Sequence, residues 1–254
     1  MISAKEIFDW LNETAPFDTQ MGFDNAGLLI GSGQQTSEIV YVALDAAKAV
    51  LQEAARAGAG IVVTHHPIIF HPLKSLLADS NAYLAANWGI TVISAHTNLD
   101  KAIGGVNDTL TEKIGVKISR RFDEDCACVG ELTEKTDCHT FAESIRRKLS
   151  LSGLRYSDTS RKICRVLVSC GAGGSNVYLA KECGADAIVC GEIKHHEILF
   201  AKDNDIAVFD LGHYGSEHII VPALTKRLQE RFPDTVFRAA QSDTDGMRYL
   251  AELS

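Results

Sequence analysis

The sequence predicts an α/β protein of two similar α/β lobes, each with a mostly parallel central sheet. Two observations carry this. Short apolar runs of strand length alternate with helical segments, which argues for parallel strands with helices packed on them. The two halves also echo each other. AARAGAGIVVTHH in the first and AKECGADAIVCGEIKHH in the second each give a helix, a glycine stop, an apolar strand and a histidine pair.

In chain order, Ser3 and Glu6 have the spacing of a capping box, and a first helix runs from there to about Asn12, before Pro16. Residues 22–27 are turn-rich and lead into the apolar run 28–30. Residues 39–44 read as a strand, 46–57 as a helix stopped by Gly58, and 61–64 as a second strand. Residues 76–88 read as a helix stopped by Gly89, and 90–94 as a third strand. Residues 115–160 are mixed and more polar. The expected boundary lies near their start, giving lobes of residues 1–120 and 121–254. From Arg161 the alternation resumes: strand 163–169, a glycine-rich loop 171–175, helix 176–183, strand 187–190, helix 195–203, strand 206–209 and a long helix 216–231. A last short strand at 236–237 is expected to pack back on the first lobe.

Composition narrows the function. Of 254 residues, 46% are hydrophobic and 23% charged, which is globular and excludes a disordered or fibrous chain. No apolar run reaches about 18 residues, so no membrane span is expected. The first residues do not read as a secretory signal. Net charge is -8, which does not support nucleic acid as a partner. The short basic spots at Arg120, Arg146 and Arg161 lie beside acids and read as solvated surface. The seven cysteines form no CxxC pair, so a disulfide framework is not expected and the compartment reads as reducing cytoplasm. Cys126, Cys128, Cys138 and His139 match no common zinc spacing.

The chemistry falls at predicted strand ends. His65 and His66 follow strand 61–64, His96 and Asp100 follow strand 90–94, and His213 and Glu217 follow strand 206–209. Loops at the carboxyl ends of parallel strands are where open α/β folds place ligands. Imidazole with carboxylate is the composition of a transition-metal site. Consecutive residues of an extended chain point to opposite sides, so His65 and His66 are expected to serve two adjacent ions rather than chelate one. His213 and Glu217 are four apart and share a face if that turn is helical. His96 either ligates or caps the strand end. Glu192, His195 and His196 are weak catalytic candidates in the second half. The loop at Gly171 to Ser175 reads either as a phosphate cradle or as a tight turn.

These residues sit in strings that resemble the Nif-three-like dinuclear metal-centre proteins, also known as GTP cyclohydrolase I type 2 homologs. The strings are GFDNAGLLIG, THHPIIF, AHTNLDKAIGGVND, GAGGS, GEIKHHE and GHYGSE, in order along nearly the whole chain. The resemblance implies the Nif-three-like fold and a toroidal homohexamer. It implies two divalent ions per subunit (Zn, Mn, Fe or Ni) held by His65, His66, Asp100, His213 and Glu217. Glu217 is the implied bridge, and His96 lies beside the site. The implied activity is a metal-dependent hydrolase, GTP cyclohydrolase-like, acting on a nucleotide-like or phosphate-bearing small molecule. The alternative is a non-catalytic metal-binding ring that regulates a protein or nucleic acid. The tail, AAQSDTDGMRY, departs from the Asn-Pro ending common in short members.

Overall fold

The computed structural model describes residues 1–250. The chain forms two compact units. One comprises residues 1–105 and 220–244, the other residues 106–219 and 245–250.

The first unit is built on a five-stranded sheet. Its order is Val236–Ala239, Ile39–Ala43, Ile61–Thr64, Thr91–Ser94 and Gly27–Ile30. The first four run parallel and the last is antiparallel. Every residue of Ile61–Thr64 and Thr91–Ser94 is buried, as expected of strands covered on both faces. Helices Lys48–Arg56 and Asn81–Asn87 lay Val50, Leu51, Ala54 and Ala85 against Val62 and Val92. Gly58 and Gly89 end these helices at φ +72° and +67°, a left-handed conformation that glycine adopts without strain. The capping box at Ser3 and Glu6 is formed, and the first helix, Ala4–Thr14, runs two residues past its expected end.

The second unit has a six-stranded sheet. Its order is Val116–Phe122, Ala127–Thr136, Ile163–Ser169, Ala187–Cys190, Ala207–Asp210 and Arg155–Tyr156. The three central strands that alternate with helices are parallel, and the flanking pairs are antiparallel. Leu167, Ile188 and Val208 from the centre pack against Val177, Ala180 and Ala201 from helices Val177–Glu182 and His195–Asp203. The polar stretch after residue 115 is a hairpin followed by helix Cys138–Lys148. No helix among the described residues is long and apolar enough to cross a membrane.

Two expected helices are corrected. The helix expected over 76–88 is confined to Asn81–Asn87. Ser80 turns its hydroxyl back to accept from the Tyr83 N–H and starts the helix there, leaving Leu76 and Leu77 exposed before it. The long helix expected over 216–231 is two, His213–Glu217 and Ile220–Arg231. Pro222 has no N–H to give the His218 carbonyl, and its ring crowds that carbonyl, so the ladder is interrupted there.

Candidate metal centre

In the first unit, the chain leaves strand Ile61–Thr64 with two more ladder bonds. The His65 N–H donates to Ala43 O at 3.2 Å and the His66 N–H to Leu44 O at 2.9 Å. The Thr64 hydroxyl then donates to the His66 carbonyl at 2.8 Å, bending the backbone ahead of Pro67. As a result the two imidazoles do not diverge as an extended strand would require. Their centroids are 5.0 Å apart, and His96 stands 5.1 Å from His65 and 5.6 Å from His66. Each of the three offers a ring nitrogen within 4.8 Å of the others. Asp100 lies on a short helix, Thr97–Lys101, that the sequence did not disclose. Its Oδ1 is 3.5 Å from His65 Nε2, and both groups are buried.

The partners of the other ring nitrogen fix how these histidines present themselves. His65 Nδ1 lies 2.9 Å from the Ala95 carbonyl, His66 Nδ1 2.9 Å from Asp45 Oδ1, and His96 Nδ1 2.7 Å from Asp24 Oδ1. Carbonyl and carboxylate oxygens only accept, so each Nδ1 carries the hydrogen. In the neutral ring, Nε2 is then the lone-pair nitrogen in all three. This is the arrangement in which a carboxylate or carbonyl behind a histidine orients it as a metal ligand. His65 Nε2 and Asp100 Oδ1 are both electron-rich. Their closeness asks for a positive charge between them, a proton or a cation.

Asp24 is the best anchored of these orienting groups. Burial alone would raise its carboxyl. Hydrogen bonds from His96, from the Thr97 hydroxyl and from the Thr97 N–H outweigh that and bring it down to about 2. Neither Asp24 nor Asp45 stands out in the sequence as an orienting group. They lie 72 and 21 residues from the histidines they hold. The only available signal for Asp24 was its place inside the string GFDNAGLLIG.

In the second unit, His213 and Glu217 share a face of the short helix His213–Glu217, with His213 Nε2 3.0 Å from Glu217 Oε2. Glu192 Oε1 lies 2.9 Å from His213 Nδ1, so Glu192 orients His213, as Asp24 orients His96. The Glu217 side chain is almost fully buried, and Gly171 makes room for it. A Cβ at Gly171 would fall 2.1 Å from Glu217 Oε1, and its φ of +55° disfavours any other residue. The Gly171 N–H donates to the Ser216 hydroxyl and the Gly174 N–H to Glu192 O. Both N–H groups are thereby spent on other segments of the protein, and Gly173–Asn176 winds as a short 3-10 turn, which favours a tight turn for this loop over a phosphate cradle. His195 and His196 open helix His195–Asp203 with exposed side chains.

The donors fit a divalent ion. Two ligand atoms each about 2.1 Å from one ion at tetrahedral or octahedral angles stand roughly 3.0–3.4 Å apart. The separations at His65 with Asp100 and at His213 with Glu217 are close to that range. Imidazole with carboxylate accommodates Zn, Mn, Fe or Ni. No cysteine belongs to a cluster of three potential ligands among the described residues. Cys128, Cys138, Cys164, Cys183 and Cys190 are free thiols. Burial pushes Cys128 up to about 12 and Cys138 up to about 11, so both are protonated at neutral pH and are poor ligands.

Known proteins match this chain over most of its length. Residues 2–245 match the family Duf34/NIF3 (NGG1p interacting factor 3). A Clostridium perfringens protein named GTP cyclohydrolase 1 type 2 homolog is 30% identical over 258 residues, covering 96% of this chain and 98% of its own. A Campylobacter jejuni protein of the same name is 33% identical over 230 residues, covering 88% of this chain and 91% of its own. The crystal structure of Staphylococcus aureus protein SA1388 superposes with a TM-score of 0.88 at 25% identity, covering 98% of this chain and 99% of that one. With sequence and fold in agreement over nearly its whole length, the chain belongs to the Duf34/NIF3 family.

Proposed function

We propose that this protein is a divalent-metal-dependent hydrolase with a dinuclear centre. Its substrate is a nucleotide-like or phosphate-bearing small molecule, handled in the manner of a GTP cyclohydrolase. His65, His66, Asp100, His213 and Glu217 would hold the ions, with His96 as a further donor. The carrying observation is the device repeated at His65, His66, His96 and His213, each with Nδ1 against an acceptor. One such pair is common in proteins. Four at predicted ligands favour a built metal site over satisfied core histidines. The name borne by the Clostridium and Campylobacter relatives supports the reaction class.

When bound, such ions supply a water acidified to near neutral pH and a clamp on a substrate oxygen. The chain's own residues do the positioning. Asp24, Asp45, Glu192 and the Ala95 carbonyl hold the imidazoles in one tautomer. The buried carboxylates of Asp100 and Glu217 set negative charge where cations are to be bound. Glu192 acts as an orienting group in this reading, not as a general base. The working assembly is the homohexamer that the family resemblance implies.

Elemental mass spectrometry on untagged protein, with a nucleotide hydrolysis screen, tests this. The expected result is about two ions per chain, a loss in His66→Ala, and turnover abolished by chelation and restored by metal. Two ions with no turnover on any nucleotide would overturn the hydrolase and leave the metal-bearing scaffold.

A further inference from the structure

Phe70, packed edge to face on His96, and its neighbour Phe23 both reach solvent. Phe23 is 61% exposed and Phe70 38%. The Phe70 centroid is 6.3 Å from that of Phe23, the rings tilted by 47°, and 6.1 Å from that of His96, edge to face at 79°. Both rings sit on fixed mounts. Phe23 precedes Asp24, which is held by His96 and by two bonds from Thr97. Phe70 follows Ile69, whose carbonyl accepts from Asn25 Nδ2 at 2.6 Å, tying the two loops together. Asp24, which orients His96, and its neighbour Asn25 therefore hold the two loops that carry this aromatic pair.

We propose that Phe23 and Phe70 are a stacking subsite for a planar nitrogen heterocycle, such as a nucleobase, laid beside His96. Every base has a π-face, and an exposed aromatic ring already held in place stacks on it with little ordering cost. The pair gives the substrate's ring a place next to the metal centre, while its polar atoms are left to the centre itself. This rests on the nucleotide-like substrate proposed above and assigns the residues that would read its ring.

The test is calorimetric binding of guanosine, ribose 5-phosphate and inorganic triphosphate to the metal-loaded full chain, with metal content measured beside it. Phe70→Ala and Phe23→Ala are each expected to weaken guanosine by about 5- to 150-fold. They should leave ribose 5-phosphate and metal content unchanged, and Phe70→Trp should keep guanosine affinity. Ring-dependent guanosine binding in a protein that hydrolyses no nucleotide would support the subsite while overturning the hydrolase. Equal guanosine affinity in wild type and both alanine variants would overturn the subsite, as would no guanosine binding by the wild type. A change in assembly mass with guanosine affinity unaltered would make this face a contact between copies and overturn it too. If Phe70→Ala loses metal with guanosine and Phe70→Trp recovers neither, the ring only supports His96, and the subsite is again overturned.

Discussion

Asp24 accepts three hydrogen bonds with its side chain wholly shielded, and this ties the setting of His96 to stability and, under the proposed metal centre, to metal affinity. Its folded value of about 2 lies below the ordinary 3.8. A depressed carboxylate contributes its stability in full above the unfolded value, and loses it as pH falls from there through the folded one. The window is therefore about pH 4 down to 2, and the shift corresponds to about 2 kcal/mol. Urea unfolding at pH 5 and pH 2.5 is expected to show wild type losing more stability than Asp24→Asn; equal losses would remove the coupling. At neutral pH, Asp24→Asn is expected to weaken metal binding by about 10- to 100-fold, read by titration. Glu192 separates orientation from proton transfer. Glu192→Gln keeps an oxygen for His213 Nδ1 and should retain most metal affinity, while Glu192→Ala should lose about 10-fold or more. A Gln variant that binds metal normally but has no turnover would return Glu192 to the role of general base. The candidate histidines are legible because each follows an apolar strand. Their orienting carboxylates are not, because the pairing is set by the tertiary fold rather than by spacing.

Among the elements, legibility followed burial. Strands such as Ile61–Thr64 and Ala187–Cys190 are wholly buried and read as continuous apolar runs. Val116–Phe122 is an edge strand with one buried residue out of seven, and its partner Ala127–Thr136 is buried only in its first four. Neither carries the apolar run or strict alternation that marks a strand, so the hairpin is not legible in the sequence. Helix Thr97–Lys101, which carries Asp100, is five residues long and too short to show a helical period. The first helix is legible from its capping box and from Ile7, Trp10 and Leu11 at helical spacing, and that makes it the simplest element to test. Ser3 Oγ accepts from the Glu6 N–H at 3.3 Å while the Glu6 carboxylate accepts from the Ser3 N–H at 2.9 Å. Ser3→Ala removes one arm and is expected to cost about 1 kcal/mol. The urea midpoint should fall with the slope unchanged; no shift would mean that the ribbon pairing Ile2–Ser3 with Thr36–Ser37 holds the helix start unaided.

At the scale of the whole molecule, the chain's return to its first unit is what completes that unit's sheet. Val236–Ala239 pairs in parallel with Ile39–Ala43, across nearly 200 residues of sequence. The tail after it, whose sequence departs from the usual family ending, is bonded rather than loose. The Ala240 N–H donates to Val42 O, and the Gln241 and Ser242 N–H groups and the Ser242 hydroxyl donate to the Glu53 carboxylate. Burial works against the ionised form of Glu53, but these bonds outweigh it and hold its carboxyl below the usual range. The last link is Asp243, whose Oδ2 accepts from the N–H of buried Leu44 at 2.5 Å. Leu44 lies one residue beyond strand Ile39–Ala43 and one before Asp45, the residue that orients His66. Asp243→Ala strips the acceptor from a buried backbone donor, which costs about 1–3 kcal/mol. Asp243→Asn keeps an acceptor oxygen at the same place and should lose less. If the tail merely fills space, the two substitutions will shift the urea midpoint equally. If it holds the strand end, the alanine variant will be the less stable of the two. It will also bind metal more weakly, because the backbone on which Asp45 and His66 are set is no longer pinned.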